Sequence, residues 1–391
     1  MKQINLDSKF KWLCIFFLVI YTNSLYPWYI WGANSLFLSF LIALLAILIR
    51  NYAREYYDIS GRMDRTSVIL FFLLIVWVNR SNLNAIIASM ASVIVFLNIA
   101  KLKEEYKSIV LRFITKWMAV ILTVSLFFFL ARIVGIQLPY EVIQKDDFYG
   151  QELNYYFFLL DGDGFTFRFK GPFLEPGYLT LGVAPLLFAN KYDFKNIYVV
   201  VLFISQVFSF SLAGYISLLF GFTMLTATQT SKFSYKLRQI TLFLSLGVVL
   251  FFSARYYLGA DVFDTLILDR LEWDADESTI AGNNRYSSYF ENRYESFISS
   301  GSILWGEGWD KSLTEYGGGN SGYKVFLFCN GLLGLFLAIL LYLNQYYRHR
   351  QREVLLFILF IFVLLSQNAY PTMWALLISC MYGSVMLSRK Q

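Results

Sequence analysis

Solid runs of apolar residues, separated by short polar or charged stretches, recur from one end of the chain to the other. They cover 11–31, 34–49, 66–79, 83–100, 117–135, 174–189, 196–210, 212–228, 239–258, 323–344, 354–368 and 371–387. These are about twelve runs of roughly the length needed to cross a ~30 Å hydrocarbon core, with 66–79 and 196–210 on the short side. Lipid offers no partner to a backbone amide or carbonyl, so such runs must be helices, and barrel strands would alternate rather than stay apolar. The pattern predicts an all-α, polytopic integral membrane protein forming a single membrane domain over 1–391. Two segments long enough to form structure outside the bilayer remain, 136–173 and 259–322.

Composition agrees with the pattern: 57% of residues are hydrophobic and 15% charged, against about 25% charged in an average soluble domain. Mean hydropathy is +0.52. Lysine and arginine set the orientation, because cytoplasmic segments hold them in excess. With the N terminus inside, the inner segments hold clusters such as Arg50, Arg54, Arg62 and Arg65, then Lys101, Lys103, Lys107, Arg112 and Lys116, and later Arg348, Arg350 and Arg352. Both termini are then cytoplasmic and both long segments lie on the outer face. The net charge of +6 follows from this bias and gives no sign of nucleic-acid binding.

The first apolar run lacks a small-residue cleavage site, so it reads as a span rather than a removable signal. Cys14, Cys329 and Cys380 all fall inside apolar runs, which leaves no disulfide framework or metal cluster to expect. The sole histidine, His349, lies in a cytoplasmic cationic run. No nucleophile triad, P-loop or dinucleotide fingerprint is present, and the spans carry almost no charge; Arg80, Arg132 and Arg255 sit at their outer ends. An ion-coupled transporter more often buries acids at mid-membrane.

The first long segment carries Glu141, Asp146, Asp147, Glu152, Asp161 and Asp163. Its "DGDG" (161–164) reads either as turns, which Asp-Gly pairs form readily, or as metal ligands; no metal and no cofactor are expected. The stretch "RFKGPFLEPGY" (168–178) opens the next span. Gly171 and Gly177 permit bent backbone or close approach of a ligand, while Pro172 and Pro176 fix φ, Pro176 near the first turn of the helix. Glu175 is placed either to cap that helix or to act as a general base at the membrane surface. Arg168 and Lys170 stand just above the headgroups. A cation at a helix lip pairs either with a neighbouring acid or with a phosphate, which guanidinium grips bidentately.

The second long segment holds Arg270, Arg285, Arg293 and Lys311 among many acids. Its stretch 292–299 predicts a short amphipathic helix with Tyr294, Phe297 and Ile298 on one side and Arg293 and Glu295 elsewhere. "WGEGW" (305–309) reads as a glycine-bent aromatic turn, in which Gly306, Gly308 and Trp309 suit a sugar platform or an interfacial anchor equally.

Together these residues resemble a known family. An arginine followed by glycine and a Glu-Pro pair opening a helix after an outward loop is similar to the Wzy-type O-antigen and capsular polysaccharide polymerases. So is a second outward loop with an arginine, Arg293, a "GEG" (306–308) and then a helix opening at 320–334. The resemblance spans nearly the whole chain and implies a GT-C-like membrane glycosyltransferase in the bacterial cytoplasmic (inner) membrane. Its activity would be to join undecaprenyl-diphosphate-linked oligosaccharide repeat units, as in lipopolysaccharide or capsule, without a metal. It implies Arg168, Arg293 and Glu175 as catalytic residues. Lys170, Arg285, Gly177, Tyr178, Gly306, Gly308 and Trp309 would be substrate-binding. A chain-length regulator and a flippase would be partners, besides the bilayer itself. The alternatives are a lipid-linked oligosaccharide flippase or transporter, and an O-antigen ligase. The outer histidine of such ligases has no counterpart, since His349 faces inward, so a base would have to be a carboxylate.

Overall fold

The computed structural model describes residues 7–30, 35–58, 65–144, 152–162, 168–228, 256, 273–274, 279–280, 288–308, 322–349, 352–365 and 373–388. It is mostly helical, at 78%. The helices are α1 (Ser8–Asn23), α2 (Ser35–Tyr52), α3 (Arg65–Val78), α4 (Leu83–Lys101), α5 (Glu104–Ile133), α6 (Pro176–Ala189), α7 (Ile197–Phe208), α8 (Leu212–Thr228), α9 (Ser288–Ile298), α10 (Tyr323–His349), α11 (Arg352–Leu365) and α12 (Trp374–Ser388). All but α9 coincide with an expected apolar run. The run at 239–258 lies outside the described residues except for Tyr256. Among the described residues, three helices, at Leu83–Lys101, Glu104–Ile133 and Tyr323–Gln345, are long and apolar enough to cross a membrane, and shorter apolar helices accompany them.

Burial separates central from peripheral helices. In α6, twelve of 14 residues are buried, including every one from Leu179 to Ala189, so this helix is enclosed by protein on all sides. Helices α7, α8, α11 and α12 pack around it, and α12 also meets α1, α5 and α10. The opposite case is α2, where Leu36, Phe37, Phe40, Leu41, Leu44, Leu45, Ile47 and Leu48 are all exposed. An apolar face of that extent needs a cover, and lipid supplies one; the architecture is compatible with a helical membrane protein.

Helix α5 begins well before the expected run at 117. Asn-cap geometry is absent, but Glu104 and Glu105 occupy its first turn, where carboxylates favour the helix dipole, and Lys107, Ser108 and Val110 are buried. Packing therefore extends the helix through a charged stretch that hydropathy alone reads as a connector.

Contacts sort several helix ends into two sets. At one, Asp58 N donates to Lys101 O (2.9 Å), Lys103 N to Tyr56 O (3.0 Å), and Lys9 pairs with Glu55 at 3.1 Å. At the other, Trp28 N donates to Pro172 O (3.1 Å), Phe169 N to Phe208 O (2.9 Å), and Ala375 N to Ser24 Oγ (3.0 Å).

The segment 136–173 is not purely helical or irregular, as an all-α reading would have it. Strands β1 (Glu141–Gln144), β2 (Glu152–Tyr156) and β3 (Leu159–Gly162) form an antiparallel meander. Side chains alternate across it: Leu153, Tyr155 and Leu160 take one face, Asn154, Tyr156, Leu159 and Asp161 the other. A second, two-stranded ladder pairs β4 (Trp273–Asp274) with β5 (Thr279–Ile280).

Candidate anion-binding site and a clamped helix break

The stretch 168–175 is built into the bundle rather than looping over it. Phe169 and Phe173 are buried, and the Phe169 ring meets Phe129 of α5 at 5.3 Å. Between them Gly171 takes φ +60°, a left-handed conformation that glycine adopts without steric cost. A Cβ there would come within 2.9 Å of Leu122 Cδ2, so both the bend and the closeness to α5 require glycine. Leu160 N donates to Gly171 O (2.9 Å), which ties the stretch to β3. With the phenylalanines turned inward, Arg168, Lys170 and Glu175 are left half-buried at the end of α6.

These three residues come together with a fourth. Lys170 lies within electrostatic reach of Asp161, Arg168 and Glu175; burial pushes its ammonium below the ordinary lysine range, Asp161 and Glu175 act against that shift, and Arg168 adds to it. Asp161 is buried and ion-paired with Arg132 at the end of α5, and the Arg132 guanidinium stands 4.4 Å from the Tyr156 ring centroid. Arg168 in turn lies within electrostatic reach of Tyr215, whose hydroxyl donates to Val207 O at 2.7 Å. Among the described residues, three cations (Arg132, Arg168, Lys170) face two carboxylates (Asp161, Glu175) where the chain enters its most enclosed helix.

Pro176 occupies the first helical position of α6, and Glu175 is its N-cap but makes no side-chain bond to the first turn. A carboxylate at this position still favours the helix dipole, so both roles, at the cap and as a base, stay open to Glu175. Gly177 is helical rather than bent, and a Cβ built on it would meet nothing within 4 Å, which leaves close approach of a ligand as its expected role. The partial positive charge at this helix N-terminus favours an anion.

A second cluster surrounds Arg293. Phe290, Tyr294 and Phe297 of α9 are buried against Val325, Phe328 and Cys329 of α10, and Lys324 pairs with Glu291 at 2.7 Å. Arg293 is exposed on α9. Ile298, expected beside Tyr294 and Phe297, is also exposed: Phe290, one turn earlier, takes the inward stripe instead.

Gly306 and Gly308 lie in a turn that packs against a break in α10. Helix α10 is broken at Gly331 (φ 65°, ψ −176°), which strands the last carbonyls of its first half. The 305–308 turn satisfies them: Glu307 N donates to Phe328 O (2.8 Å) and Gly308 N to Cys329 O (3.1 Å). Trp77 Nε1 donates to Asn330 O (2.8 Å). Arg80 Nη2 donates to Cys329 O (2.9 Å) and back to Trp305 O (2.7 Å). A Cβ on Gly306 would lie 2.5 Å from Cys329 O and Gly331 N, and one on Gly331 would lie 2.5 Å from Gly306 N and Leu304 O. Gly306 and Gly331 are glycine because two backbones touch, whereas Gly308 takes φ +97° with open space at its Cβ.

No family model, no curated protein and no solved structure matches this chain. Of the expected site residues, Arg168, Lys170, Glu175, Gly177 and Tyr178 adjoin one another at the start of α6. Arg293 belongs to the α9–α10 cluster, and Gly306 and Gly308 to the helix-break clamp. Arg285, Trp309 and Asp163 lie outside the described residues. Arg80 and Arg132, passed over as span-end cations, hold the two clusters together; their position just beyond an apolar run was the available signal.

Proposed function

We propose that this chain is a membrane glycosyltransferase that polymerises undecaprenyl-diphosphate-linked oligosaccharide repeat units on the outer face of the bacterial cytoplasmic membrane. The observation that carries the proposal is the half-buried Arg168–Lys170–Glu175 group at the N-terminus of the enclosed helix α6. Twelve spans with both termini cytoplasmic put that group at the level of the headgroups, where a lipid diphosphate lies. The sorting of helix ends into two sets supports the same alternation.

In this reading the growing glycan leaves its lipid diphosphate and passes to a hydroxyl at the non-reducing end of an incoming unit. Negative charge develops on the departing diphosphate, and cations fixed in place stabilise that charge more in the transition state than in the ground state. Arg168 and Lys170 act there, with the α6 N-terminus behind them; Arg293 is contributed by the second outer segment. Glu175 takes the proton of the attacking hydroxyl. Charge is supplied by side chains, so purified protein should extend lipid-linked units in EDTA.

Deleting the gene tests the reaction class. Surface glycans carrying a single repeat unit are the expected phenotype. Loss of every unit, the first included, would assign the chain to transport or ligation instead.

A further inference from the structure

The face of the β2–β3 hairpin opposite the Arg132–Asp161 pair carries a separate aromatic group. Leu153, Leu160 and Leu174 form a small buried cluster, and the rings of Tyr26, Trp28, Tyr155 and Tyr178 lie half-buried over it. Trp28 and Tyr155 stack at 4.0 Å between centroids, and Tyr26 meets Tyr178 at 5.9 Å. Backbone pairing holds the group to the site: Pro27 bridges Phe173 and Trp28 N donates to Pro172 O. Tyr178 is one turn beyond Glu175 in α6 and within its electrostatic reach. Burial pushes the Tyr155 hydroxyl up to about 12, so it stays a neutral donor. Tyr29, adjoining Trp28 edge to face, is exposed and extends the group outward.

We infer that Tyr26, Trp28, Tyr155 and Tyr178 form a saccharide-stacking subsite beside Glu175. It rests on the polymerase reading and deepens it: the subsite holds the terminal sugar of the acceptor unit. Aromatic rings present apolar faces for the C–H side of a pyranose while their N–H and O–H groups stay available for its hydroxyls. Anchors in a membrane interface form a belt around the whole circumference. These rings instead come together from three chain segments over a common leucine floor, they meet in the pairs Trp28–Tyr155 and Tyr26–Tyr178, and Tyr178 among them lies within electrostatic reach of Glu175. Lipid-facing rings of the ordinary kind stand apart from them, as Trp12 does with 58% of its surface exposed.

The test uses the full chain in detergent micelles and two probes taken from a host lacking the gene. One is the intact lipid-linked repeat unit; the other is the oligosaccharide cut from it by mild acid. The oligosaccharide should change tryptophan emission saturably in the wild-type protein, and Trp28→Leu, which keeps apolar bulk without a ring, should abolish most of that change. With lipid-linked units, Trp28→Leu should raise the acceptor KM about five- to tenfold, the equivalent of one aromatic contact, with kcat unchanged. Should Trp28→Leu fail to fold, Trp28→Phe is read in its place, with an intermediate KM expected. A folded variant with wild-type KM overturns the subsite, as does a variant that loses only protein yield, the mark of a membrane anchor. If wild-type protein polymerises and Trp28→Leu is indistinguishable from it, the subsite falls and the polymerase stands. Saccharide binding that depends on Trp28, without polymerisation, leaves the subsite standing and removes the polymerase.

Discussion

Adding one methyl group at Gly306 should open the clamp around the α10 break. Gly306 has φ +79°, and for a residue bearing a Cβ the left-handed region costs about 1–2 kcal/mol. The steric term is larger, because the new Cβ would lie 2.5 Å from the Cys329 carbonyl and from Gly331 N. Neither is a flexible side-chain end, so the turn must move away from α10. Moving it breaks Glu307 N to Phe328 O and Gly308 N to Cys329 O, worth about 1 kcal/mol each, and weakens the Arg80 bonds, worth about 1.5–3 kcal/mol each as charged donors. Gly306→Ala should therefore destabilise by about 4 kcal/mol, with most of the loss in the orphaned half-helix carbonyls. Gly331→Ala should match it, since the contact is reciprocal. Gly301→Ala is the control: it lies in the same segment with a normal φ and nothing within 4 Å of its Cβ. The assay is thermal unfolding of the detergent-purified protein, followed by a thiol-reactive dye reporting on buried Cys329. A Gly306→Ala melting temperature equal to that of Gly301→Ala would refute the clamp.

Other outcomes follow from the same geometry. Asp161→Asn should cost about 1–3 kcal/mol by taking the buried carboxylate from the half-buried Arg132, and a wild-type melting temperature would deny the pair its role. Lys170 can hold an anion only while protonated, and burial lowers its pKa; polymerisation should fall as pH rises through that lowered value, below the ordinary lysine range of about 10.4. Lys170→Arg, which does not deprotonate in this range, should remove the alkaline limb, and an unchanged limb would reassign it. Reporter fusions at Asp147 and Asp276 should report the outer side and those at Tyr106 and Gln351 the cytoplasm; an inner signal at either loop site would overturn the topology and the site with it.

Hydropathy located the described helices well because an apolar run is a local property, and Pro176 marked the start of α6 for the same reason. What it missed depended on partners distant in sequence. Lys107 and Lys116 made the first half of α5 look like a connector, although packing buries Lys107. Period-two alternation at Leu153 and Tyr155 was too short to stand out among acids, and the hairpin turns at Phe157, with φ 58°, without the glycine or asparagine that signals such turns. The "GEG" turn gave no sign of its contact with α10, because a glycine does not show what it approaches; Gly331, the other half of the contact, was hidden inside an apolar span. Arg168, Lys170 and Glu175 were legible because they break the composition of their surroundings, and folding added Asp161 and Arg132 to them.

Arg168 provides the most direct test of the central claim. A planar guanidinium can grip a diphosphate through two parallel bonds, whereas lysine keeps the charge and loses the fork. A charge-assisted bond realised mainly in the transition state is worth roughly 1.5–3 kcal/mol, so Arg168→Lys should slow polymerisation about 10- to 100-fold. Arg168→Ala should be slower still, as should Arg293→Ala, while Arg270→Ala should be mild. The measurement is the glycan length distribution in cells expressing each variant at wild-type level. Short glycans from Arg168→Ala and Arg293→Ala are the predicted result; long chains of near-normal distribution from both would contradict the account.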